Sequence, residues 1–280
     1  MNLTGETQSV TDQCLDDFQN YLKFHNKSQN TIQVYSYAVK QFLELYHVIR
    51  HENLMLYKCW LIERYKPQTV NLRIRALNCY MESIELSHTR IPMVRIQQKT
   101  FLENVIGPAD YEYLKKCLLR SGNLSYYFII RFMAATGVRV SELVQFKAEH
   151  VERGYMDIYS KDNKVRRIYI PRSLRNDAWK WLCRIDRKRG YIFLNRYGQP
   201  ITPAGIRGQL KKFAAVYDLD PEVIYPHSFR HFFAKSFIEK CGNISMLSDI
   251  LGHESIEATR IYLRRSSTEQ KKIVNQIVNW

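Results

Sequence analysis

Alternation of apolar and polar residues, the pattern of a half-buried strand, is confined in this 280-residue chain to one hairpin-sized region and one further short run. Elsewhere apolar residues return every three or four positions, as on a helix with one buried stripe. Between Ser28 and His47 the stripe is Ile32, Tyr35, Val39, Phe42 and Tyr46, with Gln33, Lys40 and Gln41 off it, and Ser28 or Asn30 is placed to cap its start. Similar stripes over Val10–Phe24 and Gln68–Leu86 predict a bundle of about four helices within residues 10–88. Helices are further expected over Ala109–Leu119, Leu124–Ala135, Arg139–Phe146, Thr202–Tyr217, His227–Cys241 and Met246–Leu251. Gly137, Gly242 and Gly252 supply the stops, and Ser255 can cap a last helix that carries Tyr262. The alternating region gives a hairpin, Tyr155–Tyr159 with Val165–Ile170, and Tyr191–Leu194 is expected to add a third strand. The fold class is therefore mainly α with a small antiparallel sheet.

The stretch IPMVRIQQKT, with Pro92 and no sustained period, marks a linker. It divides a helical domain at 10–90 from a mixed α/β domain at 105–280 that ends in a helical tail, with 91–104 between them. The net charge is +15, and it is uneven: residues 1–100 hold 12 basic and 9 acidic side chains, leaving 30 and 18 for the rest. A basic face of that size fits a polyanion, either nucleic acid or an acidic membrane surface, and nucleic acid is favoured. The six cysteines are scattered, with no CxxC pair and no zinc spacing, and are expected to be reduced and mostly buried. No basic segment followed by an apolar run opens the chain and no stretch is apolar enough to span a membrane, so a cytoplasmic protein with no membrane partner is expected.

Near the C-terminus His227, Arg230, His253 and Tyr262 follow one another at offsets of three, twenty-three and nine, with Arg139 in ATGVRVSEL and Lys161 in YSKDNKVRR upstream. Two guanidiniums, two imidazoles, an ammonium and a phenol are what phosphoryl transfer to a side chain needs when no metal assists. Arg139 and Arg230 can each present a planar fork to non-bridging phosphate oxygens. His227, on the same helical face as Arg230, can accept the phenolic proton or hydrogen-bond the phosphate, and His253 can donate to another oxygen. Lys161, near the hairpin tip, can protonate the departing oxygen. Glu142, three residues beyond Arg139, is expected to orient that arginine. No acidic cluster suited to Mg²⁺ is evident.

TGVRVSEL at 136–143, the hairpin lysine, HSFRH at 227–231, LGH at 251–253 and Tyr262 resemble, in order and interval, the signature boxes of the tyrosine recombinases, the phage-integrase and Xer family of site-specific recombinases. Residues 10–88, with SQNTIQVY, are similar to that family's helical core-binding (SAM-like) domain. The resemblance implies a two-domain clamp on a specific double-stranded DNA site and a covalent 3′-phosphotyrosyl intermediate, with neither metal nor nucleotide cofactor. It also implies religation by a 5′ hydroxyl of the partner duplex within a homo-tetramer. Ser160 and Asp162 stand where the family usually has glycines beside the lysine, which leaves Lys164 as a second candidate; Phe229 replaces a usual leucine and Arg264 a common histidine.

Blander readings stand beside these. RIDRKRG at 184–190 and KVRR at 164–167 are expected to be solvated faces. His25, His47, His51 and His231 are taken as structural, the last as a possible neighbour of the site. Ile273, Val274, Ile277, Val278 and Trp280 form an apolar stripe that packs on its own domain or, as the resemblance favours, on a neighbouring protomer. A type IB topoisomerase-like nicking-closing enzyme and a non-catalytic DNA-binding protein are the competing functions.

Overall fold

The computed structural model describes residues 3–96, 104–159, 165–253, 255–263 and 274–278. The chain divides into two compact units, residues 1–98 and 99–280.

The first unit holds α1 (Leu3–Phe24), α2 (Gln29–Tyr46), α3 (His51–Arg64) and α4 (Pro67–Ser83). Ser28 caps α2, its hydroxyl accepting from the Thr31 N–H at 3.1 Å, and Pro67 opens α4 where a missing N–H costs nothing. The stripe residues Ile32, Val39 and Phe42 meet Phe18, Leu54 and Tyr57 in one core. Helix α3 carries no clean stripe in the sequence because Leu56 and Ile62 lie on its outer side, about half exposed, while Leu54, Tyr57 and Leu61 are buried. The first residues of the expected linker belong to this unit. Asn78 exchanges two hydrogen bonds with the backbone of Ile91 (3.0 and 3.1 Å), and Asn71 does the same with Val94 (2.8 and 2.9 Å).

The second unit is built on α6 (Leu124–Thr136) and α11 (Pro226–Cys241), packed against each other. Around them lie α5 (Pro108–Arg120), α7 (Val140–Leu143), α8 (Ala148–Arg153), α9 (Arg172–Arg184), α10 (Pro203–Val216), α12 (Ile244–Leu251) and α13 (Glu257–Arg260). Phe128, Ile129, Phe132 and Met133 make α6 apolar on nearly all sides, as a central helix must be. Phe229 is fully buried beside Tyr111, a volume its aromatic ring fills. β1 (Tyr155–Tyr159) and β2 (Val165–Tyr169) pair antiparallel, from Tyr155 opposite Tyr169 to Tyr159 opposite Val165.

Two expectations are corrected. Tyr191–Leu194 does not join the hairpin: it makes single bridges, Lys147 to Tyr191 and Leu194 to Pro200, because its backbone pairs with residues before α8 and with its own return. Its β-rich composition reflects burial of Ile192 and Phe193. The cysteines are not buried; Cys59, Cys183 and Cys241 are exposed and the other three half-buried, since they fall off the apolar stripes of their helices. In the tail, Val274, Ile277 and Val278 are 55, 63 and 44 % exposed; Ile273 and Trp280 lie outside the described residues. Among the described residues no helix is long and apolar enough to cross a membrane.

Candidate active site

The site forms where α6 stops. Gly137 takes a left-handed conformation (φ +63°) that ends the helix, and the chain re-enters α7 with Arg139 as the residue before its first turn. Glu142, in the first turn of α7, reaches back: one oxygen accepts from the Arg139 backbone N–H at 2.8 Å and the other from Arg139 Nη1 at 3.0 Å. Arg139 Nη2 donates to the Gly252 carbonyl at 2.9 Å, and the arginine side chain stays 38 % exposed. Glu142 orients Arg139, as its spacing predicted.

Arg230, on the first turns of α11, is 3 % exposed. It donates to the Gly137 carbonyl and to the Leu251 carbonyl, each at 2.7 Å, and Nη2 lies 3.0 Å from His253 Nε2. A guanidinium has only donors, so His253 Nε2 accepts, and its protonated Nδ1 donates to Thr259 Oγ1 at 2.7 Å. The carbonyls that take Arg139 and Arg230 close α12, where orphan acceptors and the negative helix end favour cations.

A third arginine was missed in the sequence. Arg166 of β2, expected on a solvated face, turns inward: Nη2 donates to Glu142 at 2.6 Å, and Nη1 to the Leu251 carbonyl that Arg230 also uses. Its exposed neighbour Arg167 pairs instead with Asp157. Strand parity held the signal, because Arg166 lies two residues from buried Ile168 and so shares its face. Gly252 makes room for it: a Cβ there would sit 2.5 Å from Arg166 Nη1, and φ is +61°.

Tyr262, in a 3-10 turn (Ile261–Leu263) after α13, is 6 % exposed, and Ser255 accepts from the Glu257 N–H at the start of that segment. Its hydroxyl lies 2.8 Å from Nδ1 of His231, and its ring is near-parallel to that of His253 at 6.5 Å. His231, not His227, is thus the imidazole in contact with the phenol. His227 is exposed at the head of α11 and makes no hydrogen bond among the described residues. The spacing to His231 carried the information, since four residues beyond His227 is the next turn of the same face. The structure brings together Arg139, His227, Arg230, His253 and Tyr262; Lys161 and the alternative Lys164 lie outside the described residues.

Three guanidiniums around one carboxylate leave a surplus of positive charge, and the titrating groups register it. Burial, then Arg139 and Arg166, hold Arg230 down to about 10, still charged at neutral pH. Burial and the neighbouring cations push His253 to about 4, and burial with His227 and Arg230 does the same for His231, so both are neutral near pH 7. Burial also raises the Tyr262 phenol, against the lowering pull of Arg230 and Arg139. The pocket is short of an anion. Among the described residues no group of three or more His, Cys, Asp or Glu side chains is placed to hold a metal ion.

Comparison with known proteins places this arrangement. Residues 105–269 match the phage integrase family and residues 14–87 the phage integrase N-terminal SAM-like domain. The chain is 26 % identical to the tyrosine recombinase XerA of Pyrococcus furiosus, over 96 % of this chain and 95 % of that one. Its fold is similar to XerH site-specific recombinase bound to a palindromic difH substrate (TM-score 0.71, 18 % identity, 89 % of this chain and 80 % of that one). It is also similar to the Tn1549 transposon integrase in complex with transposon right end DNA (TM-score 0.70, 15 % identity, 94 % and 99 %). By the family match over more than half its length, with a mainly helical fold and a small two-stranded antiparallel sheet among the described residues, the chain belongs to the phage integrase family of tyrosine recombinases.

Proposed function

We propose that this protein is a site-specific DNA recombinase that breaks and rejoins DNA through a covalent 3′-phosphotyrosyl intermediate on Tyr262. The observation that carries the reading is the convergence of Arg139, Arg230, His253 and Tyr262 from separate chain segments onto one cation-rich pocket. Arg139 and Arg230 grip the non-bridging oxygens of the scissile phosphate, where planar forks stabilise the charge that gathers in the transition state. His227, exposed at the rim, hydrogen-bonds the same phosphate. His253 meets it differently from a simple donor: its Nε2 accepts from Arg230, and a phosphate anion beside it raises its basicity so that Nε2 takes a proton from solvent and donates. The hairpin lysine, Lys161 or Lys164, protonates the departing 5′ oxygen. The 5′ hydroxyl of a partner duplex then attacks the phosphotyrosine, and no metal or nucleotide is needed because the ester keeps the bond energy.

The N-terminal four-helix unit is the core-binding domain, residues 10–90, and contacts the same duplex; Ile91 and Val94 are held on it, and the rest of 91–104 connects it to the catalytic domain, 105–280. The working assembly is a homo-tetramer on two sites, with strands exchanged in pairs, acting in the cytoplasm. The exposed Val274, Ile277 and Val278 support docking of the tail on an adjacent protomer, since apolar side chains at that density favour a partner surface.

The test uses a duplex site selected from a randomised pool by the chain itself, placed once or twice in a supercoiled plasmid. Recombination predicts deletion or inversion between paired sites. Relaxation of the one-site plasmid without exchange in the two-site plasmid would show a nicking-closing enzyme instead.

A further inference from the structure

His231 is the imidazole in contact with the Tyr262 hydroxyl. We propose that His231 is a catalytic residue: it takes the phenolic proton of Tyr262 as that oxygen bonds to phosphorus. The proposal rests on the covalent route above and adds the identity of its base.

The geometry is specific. Nδ1 of His231 lies 2.8 Å from the Tyr262 hydroxyl, within the range that proton transfer requires, and the two rings are 5.6 Å apart at 51°. With the phenol O–H directed at Nδ1, the remaining oxygen lone pairs are free of the proton and available to the phosphate. His227, the residue first expected to do this, sits one helical turn away with its ring 6.4 Å from that of His231. His253 makes its hydrogen bonds to Arg230 and to Thr259, and none to the Tyr262 hydroxyl.

The charged and titrating groups facing His231 are His227 and Arg230 on its own helix, Tyr262 from the 3-10 turn and His253 from the loop after α12. Burial, then His227 and Arg230, favour the neutral ring, which is the form able to accept. A phosphate held by Arg139 and Arg230 offsets those cations and makes the ring a stronger base when substrate is present. In balance, the Tyr262 oxygen–phosphorus bond forms, its proton passes to His231 Nδ1, the bond from phosphorus to the 5′ oxygen breaks, and that oxygen takes a proton from the hairpin lysine. Rejoining runs in reverse, with His231 returning the proton to the departing phenolate.

The test is single-turnover cleavage of a nicked duplex selected from a randomised pool by the wild-type chain. His231→Asn places an amide oxygen near the position of Nδ1; it accepts a hydrogen bond but takes no proton. We expect cleavage to fall by about 10²–10⁴, the worth of a positioned base, with DNA affinity unchanged. Fluorotyrosine at 262, a phenol that ionises more readily, should restore more of the rate in His231→Asn than in the wild type. Cleavage at the wild-type rate in His231→Asn would overturn the proposal, as would a loss that fluorotyrosine leaves untouched, which marks a packing role. If the wild-type chain forms no adduct with any duplex, the covalent route itself fails and takes this step with it.

Discussion

Arg230 is both the most buried and the most connected cation of the site, and that combination decides what its loss does. Its fork joins the stop of α6 to the end of α12, so Arg230→Ala removes the donor to the Gly137 carbonyl, while the Leu251 carbonyl keeps Arg166. Relief of repulsion with Arg139 and Arg166 offsets part of that cost, so stability should fall by no more than about 1–3 kcal/mol in urea titration. Cleavage should fall by about 10²–10³, as for loss of one transition-state donor, and Arg230→Lys should recover only part because the fork is gone. Gly252→Ala is expected to impair both properties, through strain of about 1–2 kcal/mol from positive φ and through displacement of Arg166 from Glu142. The histidines add a pH dependence. His231 and His253 fall from an ordinary 6.5 to about 4 in the fold, so the unfolded chain binds more protons between those values. Their contribution to stability is complete above about pH 6.5 and is lost as pH falls towards 4; the urea midpoint should drop across that window, with a shallower slope in the His231→Asn, His253→Asn double variant. Arg230, His253 and Tyr262 were legible because their spacing marks them, and Arg139 because it stands in the segment ATGVRVSEL. Arg166 and His231 were legible only by parity and by turn, weak signals when a basic run and a spare histidine both have bland explanations.

Helices and their stops carry the site, and where sequence periodicity was clean the elements came out within a few residues. α2, α6, α10 and α11 have one-sided stripes or marked ends, and the structure places them as the pattern predicts. α3 and α9 did not declare themselves. The first is apolar on two sides, and the second hides Leu174, Ala178, Trp181 and Leu182 among seven polar or charged residues. The expected third strand failed because β-branched and aromatic residues mark burial as much as pairing. One element-scale device was invisible in the sequence: Asn71 and Asn78 of α4 each grip the peptide of a residue in the segment that follows, Val94 and Ile91. Asn71→Ala should cost about 1–3 kcal/mol, since it orphans part-buried backbone groups, and faster hydrogen exchange at the Val94 amide would report it. An unchanged exchange rate there would mean the segment is held by other contacts.

At the scale of the molecule, a net charge of +15 and a pocket with more guanidiniums than carboxylates point the same way, to a polyanion threaded past a reactive phenol. Affinity for the selected duplex should fall steeply as salt rises, with log K linear in log salt, because bound phosphates release counterions. Binding alone does not separate an enzyme from a DNA-binding protein on the same scaffold. The covalent bond does, and peptide mass spectrometry of the trapped adduct reads it directly. The account predicts one modified peptide, esterified at Tyr262 to the 3′ phosphate of the broken strand, and none from Tyr262→Phe. Tight, salt-sensitive binding with no adduct, or an adduct that survives in Tyr262→Phe, would contradict it.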